Sequence, residues 1–138
     1  MKIKFIALLA LISIAFSSCD VTDDDQPRLK LTALAITDVE IPDPFVFGQV
    51  NEIIVRYNQP SDCHNFYAFD VRSNLNEREV IVYSEFFESE GCTPGPIPTE
   101  QVLRFRATSN GTIVFKFLTG IDNNGENEFL EIEVEVQE

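Results

Sequence analysis

Glu128-Phe-Leu-Glu-Ile-Glu-Val-Glu-Val136 decides the fold. From Leu130 every second residue is apolar, and each residue between is Glu. A helix places every third or fourth side chain on one face, whereas a strand places every second one there. This stretch is therefore a strand with one face toward a core and one toward water. Glu131, Glu133 and Glu135 form a carboxylate row on the wet face. Like charges on an edge strand also discourage edge-to-edge pairing.

The same period recurs upstream. Ile113, Phe115 and Phe117 alternate with Val114, Lys116 and Leu118. Leu103, Phe105 and Ala107 alternate with Val102, Arg104 and Arg106, and these two arginines are placed to pair across a sheet with the Glu row or with Glu52. Val80 to Tyr83 with Phe86 and Phe87 marks another strand. Tyr67, Phe69 and Val71 are expected on one face, opposite Phe66, Ala68, Asp70 and Arg72. Ile53, Val55 and Tyr57 define a further run. In the first run, Leu34 and Ile36 share one parity and Val39 and Ile41 the other, so a bulge or split is expected near Thr37-Asp38. These seven runs predict an all-β fold: an immunoglobulin-like antiparallel β-sandwich of about seven strands over residues 31–138. The alternative is an up-and-down barrel, although small closed barrels usually have about eight strands or more. Ser109-Asn110-Gly111 and Asp122-Asn-Asn-Gly-Glu126 are the last two hairpin turns, because Asn-Gly favours left-handed backbone. Pro42, Pro44 and Pro60 are expected between strands, and Glu90 to Pro98 as a Pro-rich loop.

The chain of 138 residues suits one folded domain. Its formal charge of −13 argues against nucleic acid as a partner, since phosphate neutralisation needs a basic face. At 44% hydrophobic it is too apolar for a disordered acidic tail.

The beginning reads as an address. Lys2 and Lys4 precede an apolar run from Phe5 to Phe16, interrupted only by Ser13. That run is shorter than the roughly 20 residues a membrane-spanning helix needs, and it suits a signal-peptide core. Phe16-Ser-Ser-Cys19 resembles the lipobox of bacterial lipoproteins, with Phe where Leu is usual. The resemblance implies that residues 1–18 are cleaved. It also implies that Cys19 carries diacylglycerol and an amide-linked acyl chain such as palmitate. Several acyl chains on one residue give stable anchoring, where one alone is marginal. Cleavage removes two lysines and no acid, so the charge becomes −15. Residues 19–30 then form a lipidated Cys and an acidic tether, too polar to build a core. Asp23-Asp24-Asp25 resembles the export signal of surface lipoproteins of Bacteroidota, which implies the outer membrane with surface exposure. A periplasm-facing location is the alternative.

With Cys19 lipidated, Cys63 and Cys92 remain, and two cysteines of an exported chain are expected to pair. A catalytic Cys63 beside His64 is disfavoured, because neighbours on an extended chain point to opposite sides. His64, the single imidazole, is expected to be solvated or to pack in a loop, since no His/Cys spacing of a metal site accompanies it. Asp122, Asn124 and Glu126 are alternate oxygen ligands reminiscent of a calcium loop. Asn127 stands where that loop needs Gly, and a hairpin turn accounts for the same residues. A glycoside hydrolase needs two carboxyl groups in contrasting environments, which a solvated Glu row does not supply. Glycan binding favours exposed aromatics, whereas the Phe and Tyr residues here fall mostly on expected core faces.

Asp38-Val-Glu-Ile-Pro42, Val55-Arg-Tyr-Asn-Gln-Pro60 followed by Cys63-His64, and the Glu128–Val136 ending resemble small flavobacterial-type lipoproteins of Bacteroidota. That resemblance implies no assigned activity and no cofactor. The expected function is a non-catalytic binding or structural module on the cell envelope, held by its lipid and acting on an envelope protein or glycan. The alternatives are a glycan- or calcium-binding accessory lipoprotein and a small envelope hydrolase.

Overall fold

The computed structural model describes residues 30–88 and 91–138. The expected signal peptide, Cys19, the expected tether up to Leu29, Ser89 and Glu90 lie outside the described residues.

The alternation at the chain's end becomes β9 (Asn127–Gln137), with Val134 and Val136 buried and Glu131, Glu133 and Glu135 exposed. Every other run also forms a strand. These are β4 (Val50–Ser61), β5 (His64–Asn74), β6 (Glu77–Phe86), β7 (Pro94–Arg106) and β8 (Gly111–Ile121). The phase slip expected near Thr37-Asp38 is a bulge between Ile36 and Asp38, and the first run is also split, at Ala35, into β1 (Lys30–Leu34) and β2 (Ile36–Glu40).

The split places the two halves in different sheets. β2 pairs with β4 and β4 with β7, making a three-stranded sheet. The larger sheet runs β1-β6-β8-β9-β3, with β5 along the remaining edge of β6. The two sheets face each other across one core, as expected of a β-sandwich. Ile53, Val55 and Tyr57 of β4 and Leu103 of β7 meet Val80 and Val82 of β6 and Ile113, Phe115 and Phe117 of β8. Fully burying such side chains stabilises by roughly 1.5–3 kcal/mol each. Phe105 of β7 packs edge-on to Phe115 of β8 at 5.1 Å between centroids, tying one sheet to the other.

Four features differ from the expectations. First, a two-residue strand, β3 (Phe45–Val46), lies parallel to β9. Two residues have no periodicity to read; what holds them is the buried Asn51. Its Oδ1 accepts the Val46 N–H at 2.8 Å and its Nδ2 donates to the Val46 carbonyl at 3.0 Å. The side chain thus stands in for a neighbouring strand. Second, β6 and β8 also pair in parallel, over Glu77–Val80 against Val114–Phe117, so the larger sheet is mixed and not wholly antiparallel.

Third, Pro60 lies inside β4 and Pro94, Pro96 and Pro98 inside β7, not in loops. β7 is an edge strand, where a missing N–H facing solvent breaks no ladder, and the β4–β7 register shifts at Gln59/Ser61. Gly95 fits there because its backbone runs against the Gln59 carbonyl, leaving no room for a Cβ. Fourth, a bulge between Phe66 and Ala68 turns Tyr67 outward, so Phe66 and Phe69 both pack on the core. Their rings lie 5.0 Å apart.

Candidate functional site

Cys63 ends the turn from β4 into β5, and Cys92 lies between β6 and β7. They form a disulfide with Cα atoms 5.6 Å apart. Beside it, Asp62 N donates to Thr93 O at 3.1 Å and Thr93 N donates to Asp62 Oδ1 at 2.8 Å. The bridge therefore fastens the start of β7 to the end of β4. Asp62 and the two sulfurs lie within 4.8 Å of one another. Sulfurs joined to each other offer a metal no thiolate, and Cys63 has none to act as a nucleophile.

His64, expected to be solvated or in a loop, begins β5 instead, opposite Phe86 of β6. Its ring lies 4.7 Å from that of Phe86, and its Nδ1 is 2.8 Å from the Ser61 hydroxyl. Cys63 N donates to the same Ser61 oxygen at 3.3 Å. The imidazole thus helps close the β4–β5 turn.

Asp122, Asn124 and Glu126 come together in the β8–β9 turn, and the hairpin uses them. Asp122 Oδ1 accepts the N–H groups of Asn124 at 2.7 Å and Glu126 at 2.9 Å. Its Oδ2 accepts from Asn124 Nδ2 at 3.3 Å. These donors, the Glu126 N–H foremost, hold the Asp122 carboxyl below its ordinary value. Gly125 supplies the left-handed backbone at φ 85°. The calcium-like pattern is thus an Asx-type turn with its carboxylate directed inward.

The charged rows separate by sheet. Arg104 Nη2 meets Glu52 at 2.9 Å across β7 and β4, and Arg106 donates to the Gly48 carbonyl at 2.8 Å. The Glu row belongs to the other sheet, where Glu131 meets Lys116 at 3.3 Å. On the outer face of β4, Arg56 reaches Asp38 at 2.7 Å, Glu40 at 3.0 Å and Glu100 at 3.2 Å. Asp38 first and then Glu40 raise the Arg56 pKa further. The same three strands that carry these residues are thereby stapled from outside.

Sequence reading missed a concavity on the outer face of the larger sheet. Ile81 of β6 and Leu118 of β8 are 4% and 6% exposed, yet they face away from the inter-sheet core. Strand topology explains this. β5 occupies one edge of β6 along its whole length. The other edge is shared: β8 pairs with Glu77–Val80, and β1 pairs with Val82–Phe86. At Ile81 the partner changes, and beyond Phe117 β8 is paired with β9 and no longer with β6.

A groove of about 440 Å³ opens in the fork, within the range of ligand sites. Ile81 and Leu118 line it, and Ala33, Ala35 and Gly120 keep it open by being small. Tyr83, Ile121, Asn127 and Arg72 complete the lining. Arg72 is already engaged, with Asp70 at 2.9 Å and Glu79 at 3.6 Å, and Asp70 chiefly raises its pKa. A cation so neutralised does not select an anion, so the groove suits an uncharged, mainly apolar group. No sequence signal marks it, because its residues come from five strands.

Comparison of the chain with protein-family models, curated proteins and solved structures finds no match.

Proposed function

We propose that the chain is a non-catalytic binding module held at the cell envelope, with the fork groove of the larger sheet as its binding site. The observation that carries the reading is the apolar floor of Ile81 and Leu118, set on the side of the sheet away from the core. A fold needs no such recess on its outer face, whereas a ligand or partner does. His64 and Cys63 support the non-catalytic side of the reading, since both are committed to closing a turn. Placement at the envelope rests on the Phe16-Ser-Ser-Cys19 lipobox resemblance, with the outer membrane as the expected site.

The groove is tested with the neutral apolar dye Nile red. Its fluorescence should rise on binding the wild-type chain and not the groove-filled variant Ala33→Phe, at equal melting temperature. Equal dye binding by both would remove the groove from the proposal. The anchor is tested by metabolic labelling with a fatty-acid analogue. Cys19→Ala should abolish the label, and persistent label would sink the lipoprotein reading.

A further inference from the structure

We infer that the free edge of β9 takes an added strand, an extended segment of another protein in which basic and apolar residues alternate. This surface is separate from the fork groove, and the inference stands without it.

One side of β9 is paired with β8 from Asn127 to Val136. On the other side Val136 and Gln137 pair with β3, and among the described residues no strand pairs with Asn127 to Glu135 there. This edge holds a strand where one is offered: Phe45 and Val46 pair with it, and Phe47 N donates to the Gln137 carbonyl at 2.8 Å. The chain does not carry β3 further along β9, because Pro42 and Pro44 precede it and neither has the N–H that a ladder uses. A recess of about 390 Å³ lies at the place left open. Ile132, Glu133, Val134 and Glu135 all line it. Consecutive residues of a strand point to opposite faces, so a recess that touches all four lies against the strand's edge. β8 occupies the other edge, so this is the free one. Ile41, Pro42 and Asp43, leading into β3, line the recess from beside it.

The two faces of β9 say what the added strand carries. On the inner face, burial falls with distance from β3. Val136 and Val134 are buried, Ile132 is half-buried and Leu130 is 39% exposed. Their cross-strand partners on β8, Phe115 opposite Ile132 and Phe117 opposite Leu130, are fully buried. Leu130 and Ile132 are therefore left open on the side where β9 has no neighbour, and apolar side chains of an added strand would cover them. On the outer face Glu131, Glu133 and Glu135 are exposed. Lys116 meets Glu131 at 3.3 Å, whereas among the described residues no cation meets Glu133, Glu135 or Asp43. Cations at alternate positions of the added strand pair with this row. A second copy of this β9 would bring the same glutamates and be repelled, so the row selects a basic strand over its own kind. Main-chain hydrogen bonds supply the affinity and the alternating side chains the choice of partner.

The test uses the full chain in neutral detergent and a capped peptide of alternating Lys and Val. The peptide should bind, and hydrogen exchange should slow at alternate β9 amides between Asn127 and Glu135. The same peptide with every backbone nitrogen methylated keeps its charge but cannot donate to a ladder, and it should not bind. Glu133→Lys with Glu135→Lys should weaken the Lys–Val peptide by roughly tenfold and take up a Glu–Val peptide that the wild type does not bind. Ala33→Phe should bind the Lys–Val peptide as the wild type does, which tests the edge apart from the groove. No binding by the wild type, protection that falls outside β9, or unaltered binding in the double variant overturns the inference. Equal binding by the methylated peptide also overturns it, by showing attraction to net charge alone.

Discussion

Removing the disulfide with Cys63→Ala and Cys92→Ala together should lower the melting temperature by about 15 °C. The bridge joins residues 29 apart. In the chain-entropy model, closing a loop of that length removes enough freedom from the unfolded chain to stabilise by about 3.5 kcal/mol. A domain of roughly 110 residues unfolds with an entropy of about 2.1 cal/mol/K per residue, or about 0.23 kcal/mol/K in all. The quotient is the expected shift. The native state keeps a non-covalent tie at the same place, the reciprocal Asp62–Thr93 bonds, so the folded geometry should survive. Calorimetry of the double variant and of the wild type, oxidised and reduced, measures the shift. Hydrogen exchange at Thr93 then reports whether the start of β7 frays first. A variant melting within about 3 °C of the wild type would refute the loop-closure reasoning and give the clamp to the Asp62–Thr93 pair.

Gly95→Ala should destabilise by about 1–3 kcal/mol, because the new Cβ collides with the Gln59 carbonyl and lies 2.8 Å from Ile97 N. The urea midpoint should fall at unchanged slope, and an unchanged midpoint would contradict the close approach. The Ser84 hydroxyl is fully buried with no hydrogen-bond partner among the described residues. Ser84→Ala should therefore fold with stability equal to the wild type or up to about 1 kcal/mol higher, and a clear loss would reveal a partner for that oxygen. The folded-state pKa of Asp122 lies below its unfolded value, so its contribution is present above the ordinary carboxylate range and lost as pH falls through the depressed value. Asp122→Asn keeps an acceptor but does not titrate, so its stability should fall less on acidification in denaturant titrations; parallel acid limbs would contradict this.

Particular residues show what could be read without coordinates. The Leu130-to-Val136 alternation and its upstream counterparts announced strands because burial imposes period two on sequence. The bulge between Ile36 and Asp38 showed as a change of parity between Ile36 and Val39, whereas the split at Ala35 did not show, because Leu34 and Ile36 on either side of it share one parity. β3 did not show, because two residues carry no period and the group that holds them beside β9 is a side chain, Asn51. Tyr67 was misplaced because the extra residue in the bulge gives Phe66 and Phe69, on its two sides, opposite parity on one face. The prolines of β7 misled because an edge strand and a loop tolerate proline for the same reason. At the candidate sites, the cysteine pairing was legible from the number of cysteines and the expectation of export alone. The fork groove was not, because it exists only where β6 exchanges one partner for another.

The passage of one strand between two sheets also has a mechanical meaning. Tension reaching the domain from its N-terminal side enters at Lys30 and loads the β1–β6 ladder first. Through Ala35 the same chain continues into β2, which is laced to β4. Pulling therefore engages both sheets in series, and neither layer peels away without drawing on the other. A module worked from its leading end is thus gripped across its full thickness.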